Sequence, residues 1–267
     1  RYAVAGVPFQ PSSDGVNNTG AVYVWERQQG EDRYELMQVL APPSSLNESG
    51  QALGETVIAI SGDGQWIAGG SYRYNNSMGA LVVWRQNSSG VFEHYQSLFS
   101  PGVYWQDKLA RYGAALSHDG STLAAGAPQA EVDGVANNGC VHVWKREAAN
   151  STFTHAQQLV SPRPLSLARL GNAKIGMSAD GVTIATGTRQ GRVLGDISGI
   201  GLVWVYDAEQ GVYSPAEEYL SPNGGADTGF GGRGGGTVSA DGSTLVFSSH
   251  GREGVVNTPF EYKRHAG

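Results

Sequence analysis

The chain has a single cysteine, Cys140, so it contains no intrachain disulfide framework, no cysteine-rich zinc site and no Cys-x-x-Cys redox pair. It is poor in charge: Asp, Glu, Lys and Arg make up only 16% of it, against a usual ~25%, which excludes long charged helices and coiled coils. It has no basic excess, with 18 Lys+Arg against 24 Asp+Glu and no basic cluster, and so lacks the electrostatic footprint for nucleic acid. No apolar run approaches the ~18 residues that cross a bilayer as a helix. Hydrophobic content is nevertheless 40%, too high for a disordered chain. What the chain has in abundance is glycine, 39 of 267 residues, about twice the usual ~7%, so many turns are expected between buried segments.

Comparing the sequence with itself exposes a repeat. One block reads YELMQVLAPP from Tyr34, FEHYQSLFSP from Phe92, FTHAQQLVSP from Phe153 and YSPAEEYLSP from Tyr213. Its closing prolines, Pro43, Pro101, Pro162 and Pro222, lie 58, 61 and 60 residues apart. A second block, an apolar stretch broken by Ser-x-Asp-Gly, places its aspartates at Asp63, Asp119, Asp180 and Asp241. The third is a glycine followed by apolar and aromatic residues: GAVYVWER from Gly20, GALVVWRQ from Gly79, GCVHVWKRE from Gly139 and GLVWVYD from Gly201. A shortened fifth copy, PFEYKR, starts at Pro259.

Each copy reads as four antiparallel strands. Asp-Gly supports the positive φ of a tight hairpin between the first two strands, the aromatic block is the third, and the block ending in proline is the fourth. A repeat of about 60 residues with four strands and no helical period indicates a β-propeller blade. Residue size agrees: Ala124-Ala125-Gly126 stands in an inner strand, whereas Trp25, Trp84, Trp144, Tyr34, Phe92 and Phe153 stand in outer ones, the taper of a wedge. The expected architecture is an all-β propeller of about five blades, at 1–43, 54–101, 112–162, 170–222 and 229–264, with the first and last incomplete.

The succession of Tyr112-Gly113 or Phe230-Gly231, Leu-Ser-x-Asp-Gly-Ser-Thr-Leu-Ala, Gly126-Ala127-Pro128 and Gly-x-Val-x-Val-Trp resembles the FG-GAP repeat of integrin-α-like propellers. The resemblance covers essentially the whole chain. It implies a non-catalytic extracellular adhesion or assembly module that binds protein subunits through its face loops. Many integrin-type repeats also bind calcium through Asp-x-Asp/Asn-x-Asp-Gly, a run this chain lacks. Asp14, Asp133 and Asn137, in two related loops, are its nearest calcium candidates, with one carboxylate per loop.

Five sequons, at Asn17, Asn47, Asn75, Asn87 and Asn150, point to a secreted or cell-surface glycoprotein. All precede residue 151, which leaves the later repeats free to face another subunit. The partner-binding candidates sit in loops that differ most between copies: Tyr72, Arg73, Tyr74, Arg189, Arg192, Asp196, Arg233, Arg252 and Glu253. An alternative is a lectin-like propeller in which Tyr72, Tyr74 or Trp105 stacks on sugar. A third reading, a glycosidase-like hydrolase, draws on Asp196, Glu131 and Glu253. Gly229-Phe230-Gly231-Gly232-Arg233-Gly234 fits Gly-x-Gly-x-x-Gly but opens no helix, so it carries no nucleotide-binding expectation. His142 takes a packing position shared with Tyr23 and Trp204, and no Ser or Cys nucleophile signature is present, so no catalytic residue and no enzymatic activity are expected.

Overall fold

A computed structural model describes residues 1–102, 106–148, 150–193, 196–220, 235–248 and 259–263, with the side chains of 190–198 outside the description. Among the described residues the chain forms five antiparallel sheets in sequence order. Sheet 1 holds β1 (Tyr2–Val7), β2 (Ala21–Arg27) and β3 (Tyr34–Leu40). Sheet 2 holds β4 (Ile58–Ile60), β5 (Trp66–Ser71), β6 (Ala80–Gln86) and β7 (Phe92–Leu98). Sheet 3 holds β8 (Ala114–Leu116), β9 (Thr122–Ala127), β10 (Cys140–Lys145) and β11 (Thr154–Leu159). Sheet 4 holds β12 (Gly176–Met177), β13 (Thr183–Val193), β14 (Asp196–Asp207) and β15 (Val212–Tyr219). Sheet 5 holds β16 (Gly236–Val238), β17 (Thr244–Ser248) and β18 (Pro259–Lys263).

The short inner strands β4, β8, β12 and β16 lie next to one another in that order, and the sheets stack face to face around them. Each sheet offers one face of small or β-branched side chains to the sheet that follows, and one aromatic face to the sheet before it. Val22 and Val24 receive Ile67, Val82 and Trp84. Ala68, Leu81 and Val83 receive Leu123, Cys140 and Trp144. Val141 and Val143 receive Ile184, Leu202 and Trp204, and Ala185 and Val203 receive Leu245 and Phe247. Burial on both faces explains why β5 and β9 are apolar without alternation, being buried along their whole length.

Two hydrogen-bonding devices fix one sheet to the next. At the outer rim, Gln38 Nε2 donates to the Phe92 carbonyl at 2.7 Å while its Oε1 accepts from the Phe92 N–H at 2.9 Å. Gln96 does the same to Phe153, at 3.0 and 2.8 Å, and Gln157 to Tyr213, at 2.8 and 2.6 Å. At the Asp-Gly turns, Asp63 N–H donates to the His118 carbonyl, His118 to Ala179 and Ala179 to Ala240, at 2.7 to 2.9 Å. Within each turn a serine and an aspartate close the loop. Ser117 Oγ donates to Asp119 Oδ1 at 2.7 Å, Ser121 N–H donates to the same oxygen, and Thr122 N–H donates to Ser117 Oγ. This set recurs at Ser61–Asp63, Ser178–Asp180 and Ser239–Asp241. Hydrogen bonds from Ser239 and Ser243 hold the Asp241 carboxyl down at about 2.

The structure changes two details of the sequence alignment. The β-bulge that falls before Trp25, Trp84 and Trp144 falls before Trp204 in sheet 4. Trp204 is therefore the counterpart of Trp144, and the position of His142 is taken in sheet 4 by Leu202. The repeated Gly-Ile-Gly-Leu, with glycine at both 199 and 201, let the sequence slip by two residues. Residues 189–196 were expected as a loop, but β13 runs on to Val193 and β14 starts at Asp196, with Arg192 opposite Ile197 and Val193 opposite Asp196.

Removing a rim glutamine leaves a buried peptide N–H and C=O without their partners, which costs about 1–3 kcal/mol. Gln96→Ala is expected to lower the unfolding midpoint clearly in urea, and Gln96→Glu to do so as well, because a carboxylate cannot donate to the Phe153 carbonyl. Chemical denaturation followed by circular dichroism checks this.

Candidate functional site

The loops between second and third strands and those leading into the inner strand of the next sheet share one end of the stack. They interlock through their backbones: Leu53 N–H donates to Thr19 O, Leu109 to Met78 O and Leu170 to Asn138 O, at 2.8 to 3.0 Å. Gly139 sits at the last crossing with φ +75, and a Cβ there would lie 2.5 Å from the Leu170 carbonyl oxygen, so only glycine fits. A cleft of about 230 Å³ opens at this end, lined by Thr56, Val57, Ile58, Tyr112, Gly113, Ala114, Lys174 and Ile175.

Around it stands a connected polar rim. Arg73 donates to Glu55 Oε1 at 2.8 Å and, through Nε, to the Tyr72 hydroxyl at 3.0 Å. The Arg111 guanidinium lies over the Tyr72 ring at 5.3 Å and the Tyr112 ring at 4.6 Å, and Thr56 Oγ1 donates to the Arg111 carbonyl. Four cations crowd together beyond it. The Arg169 guanidinium is pulled below its usual range by burial, then by Arg189 and Arg111; Lys108 is lowered by burial, then by Arg111 and Arg169. Among the described residues none of Lys108, Arg111, Arg169 and Arg189 has an acidic ion-pair partner, and Arg169 Nε is buried with no acceptor. On the other side of the rim, Glu55 Oε2 is also buried without a partner. This end of the stack thus holds one half-engaged carboxylate and a group of cations without acidic partners, a setting suited to an anionic ligand.

The sequence-predicted residues fall in three groups. Tyr72, Arg73 and Arg189 belong to the rim. Tyr74 packs on Phe99, ring centres 5.9 Å apart, and the Tyr72 ring is covered by Arg73 and Arg111, so neither is an open platform for sugar stacking. Arg192 and Asp196 lie on β13 and β14, with side chains outside the described set, and Arg233, Arg252, Glu253 and Trp105 lie outside the described residues altogether. Sequence reasoning passed over Glu55, Lys108, Arg111, Tyr112 and Arg169. Superposing the repeats finds them: Ala52, Lys108 and Arg169 are equivalent, as are Glu55, Arg111 and Asn172, so charge varies at positions where the backbone does not.

The calcium candidates do not assemble. Asp14 accepts hydrogen bonds from Ser12 and from Asn47 Nδ2, while Asp133 and Asn137 take φ of 50 and 52 in their loop. Among the described residues no group of three His, Cys, Asp or Glu side chains is placed to hold a metal. Of the sequons, Asn17, Asn75 and Asn150 are exposed, Asn47 spends its amide nitrogen on Asp14, and Asn87 Oδ1 accepts from the Ser89 and Val91 N–H groups.

A buried polar row underlies the rim. His142 Nδ1 lies 3.1 Å from His155 Nε2, and its Nε2 3.5 Å from the Cys140 sulfur. Burial, then His155, drives His142 down to about 3, and burial pushes the Cys140 thiol up to about 12, so both are neutral packing groups. Asp107 is 2% exposed, with both carboxyl oxygens unpartnered. Burial pushes it up to about 7, an effect partly offset by Ser100.

No protein-family model matches the chain, and no curated protein does. Solved structures match over nearly all of it. A protein from Lactobacillus plantarum is 13% identical, with a TM-score of 0.52, covering 90% of this chain and 63% of that one, so the chain spans less than two thirds of that protein. A putative 6-phosphogluconolactonase from Bacteroides uniformis is 12% identical, with a TM-score of 0.51 over 98% of this chain and 80% of that one. The β-propeller domain of Cps50 (Swd1) from Myceliophteria thermophila is 13% identical, with a TM-score of 0.51 over 90% of this chain and 62% of that one. The class the fold defines is the β-propeller. Because that scaffold also carries a protein named for lactone hydrolysis, the expectation of a non-catalytic adhesion module, and of no enzymatic activity, is overturned. The physical reason is that a Ser or Cys signature marks only one kind of chemistry, whereas a carboxylate that activates water leaves no linear motif.

Asp107 supplies a pH test. Its folded-state value lies above that of the unfolded chain, so the folded state holds the extra proton between about pH 4 and 7, and stability falls as pH rises through that window. The loss approaches ~4 kcal/mol before relaxation. His142, lowered, acts in the opposite sense below pH 6.5, so the comparison with Asp107→Asn isolates the carboxyl. The variant is expected to gain on the wild type steadily from pH 4 to 7 and to stay ahead above it, as measured by urea unfolding across pH.

Proposed function

We propose that this chain is a hydrolase-type propeller of five blades, of the repeat type its sequence resembles, and that it opens an ester or lactone of a small, hydroxylated, anionic substrate at the Glu55–Arg111 end of its cleft. The observation that carries the reading is that one end of the stack holds both a carboxylate with a free acceptor oxygen, Glu55, and four cations without acidic partners. The fold shared with a putative 6-phosphogluconolactonase supplies the reaction class.

The chemistry follows from the placement. Lys108, Arg111, Arg169 and Arg189 hold the anionic group, and Tyr112 and Lys174 line the cleft that takes the ring. Glu55, oriented by Arg73, accepts a proton from water through Oε2 as the water oxygen adds to the carbonyl carbon. Cationic and phenolic donors at the rim stabilise the resulting oxyanion. The ring C–O bond then breaks, and Glu55 returns its proton to the departing alkoxide, leaving an open hydroxy acid.

The test is hydrolysis of 6-phosphogluconolactone and of unphosphorylated gluconolactone, with spontaneous opening subtracted, followed by pH-stat titration. The phosphorylated lactone is expected to be preferred, Arg169→Ala to raise KM for it selectively, and Glu55→Gln to lower kcat by about 10²–10⁴ with KM little changed. Absence of turnover for both lactones, or turnover indifferent to Glu55→Gln, contradicts the reading.

A further inference from the structure

Four times in this chain, the aromatic face of a sheet is covered by the small-residue face of the sheet before it. The same face of sheet 1 is not covered. Trp84, Trp144 and Trp204 are 1–3% exposed, but their counterpart Trp25 is only half-buried. Phe92, Phe153 and Tyr213, the residues whose backbones the rim glutamines clasp, are 2–3% exposed, whereas their counterpart Tyr34 is 48% exposed. Ala3 and Ala5 of β1, opposite Trp25 and Tyr23, are exposed as well, whereas Ile67 and Gly69, at the same places in sheet 2, are buried. Tyr23 and Trp25 lie against each other with ring centres 5.7 Å apart, forming the centre of the patch.

We propose that this face of sheet 1 is a docking surface for one further antiparallel sheet of the chain's own repeat type. The partner's chemistry is set by the interfaces that recur inside the molecule. It presents valine- and alanine-sized side chains to receive Tyr23 and Trp25, as Val22 and Val24 receive Val82 and Trp84. It also carries, on its outermost strand, a glutamine whose amide takes the Tyr34 N–H and C=O. Sheet 5 of a second copy does not fit: where β2, β6, β10 and β14 place Val24, Val83, Val143 and Val203, β18 has Glu261, ion-paired with Lys263. That face carries charge, and charged groups are not left in a dry sheet interface.

The repeat frame gives the experiment. Arg1 O accepts from Arg27 N–H as Val182 O accepts from Tyr206 N–H, so a copy of residues 112–181 fused directly before Arg1 continues the chain in register and adds a complete sheet with Gln157 at the clasp position. Hydroxyl-radical footprinting is read at Trp25 and Tyr34 in the fused and unfused proteins. The proposal expects both to fall, in the fusion, to the reactivity of Trp84 and Phe92, and Ala5→Arg in the fusion to restore their exposure while Trp84 and Trp144 stay protected. It is overturned if the two remain as reactive as in the unfused chain, whether or not the added copy is itself protected. It is overturned equally if the unfused chain self-associates in the ultracentrifuge and Ala5→Arg makes it monomeric, since the occupant is then a second copy.

Discussion

The organisation of the molecule depends on a side-chain amide that imitates a peptide group. Gln38, Gln96 and Gln157 each give one donor and one acceptor to the first residue of the next sheet's outermost strand, so the strand ladder of one sheet is tied laterally to another. Only glutamine or asparagine offers both functions side by side, and only glutamine has the reach. The aromatic residue clasped in this way is thereby inserted against the small face of the preceding sheet. Apolar burial supplies most of the stabilisation, while the amide pair fixes register and angle, as directional bonds do and dispersion does not. At sheet 4 the series changes: Glu217 stands where glutamine is found earlier, and a carboxylate cannot donate to a carbonyl.

Fixing the sheets at the rim and at the Asp-Gly turns leaves the opposite end free to carry charge. The loops there are held by backbone hydrogen bonds to each other, so their side chains vary without loss of fold. That independence lets Lys108, Arg111, Arg169 and Arg189 be concentrated at one mouth, although Arg111 and Arg169 lower the proton affinity of Lys108, and Arg189 and Arg111 that of Arg169. A cluster of this kind opposes stability in the free protein, and a bound anion relieves it.

The repeat, its four-strand grain and its inner-small, outer-large taper were legible in the sequence because each rests on a periodic pattern of side-chain size and on Asp-Gly turns. Sheet 4 escaped in part. Its doubled Gly-x-Gly hid which aromatic was Trp144's counterpart, and only the bulge before Trp204 decides it. The stretch 189–196 was read as a loop because charged and glycine residues dominate it, yet pairing across β13 and β14 continues to Val193 and Asp196. The rim was less legible still. Arg73 and Arg189 were singled out as variable loop residues, but Glu55 and Arg111 occupy equivalent positions in different repeats, and their proximity is a property of stacking that no linear spacing encodes. Function was misread for the same reason: absent nucleophile motifs were taken as absent chemistry.

Amide hydrogen exchange on the wild-type chain tests the central claim most directly. If the glutamine clasps hold the stack together, the Phe92, Phe153 and Tyr213 amides exchange only at the rate of global unfolding, while the Tyr34 amide, which has the same place in sheet 1 and no clasp, exchanges orders of magnitude faster. Four amides exchanging at one common rate would contradict the account.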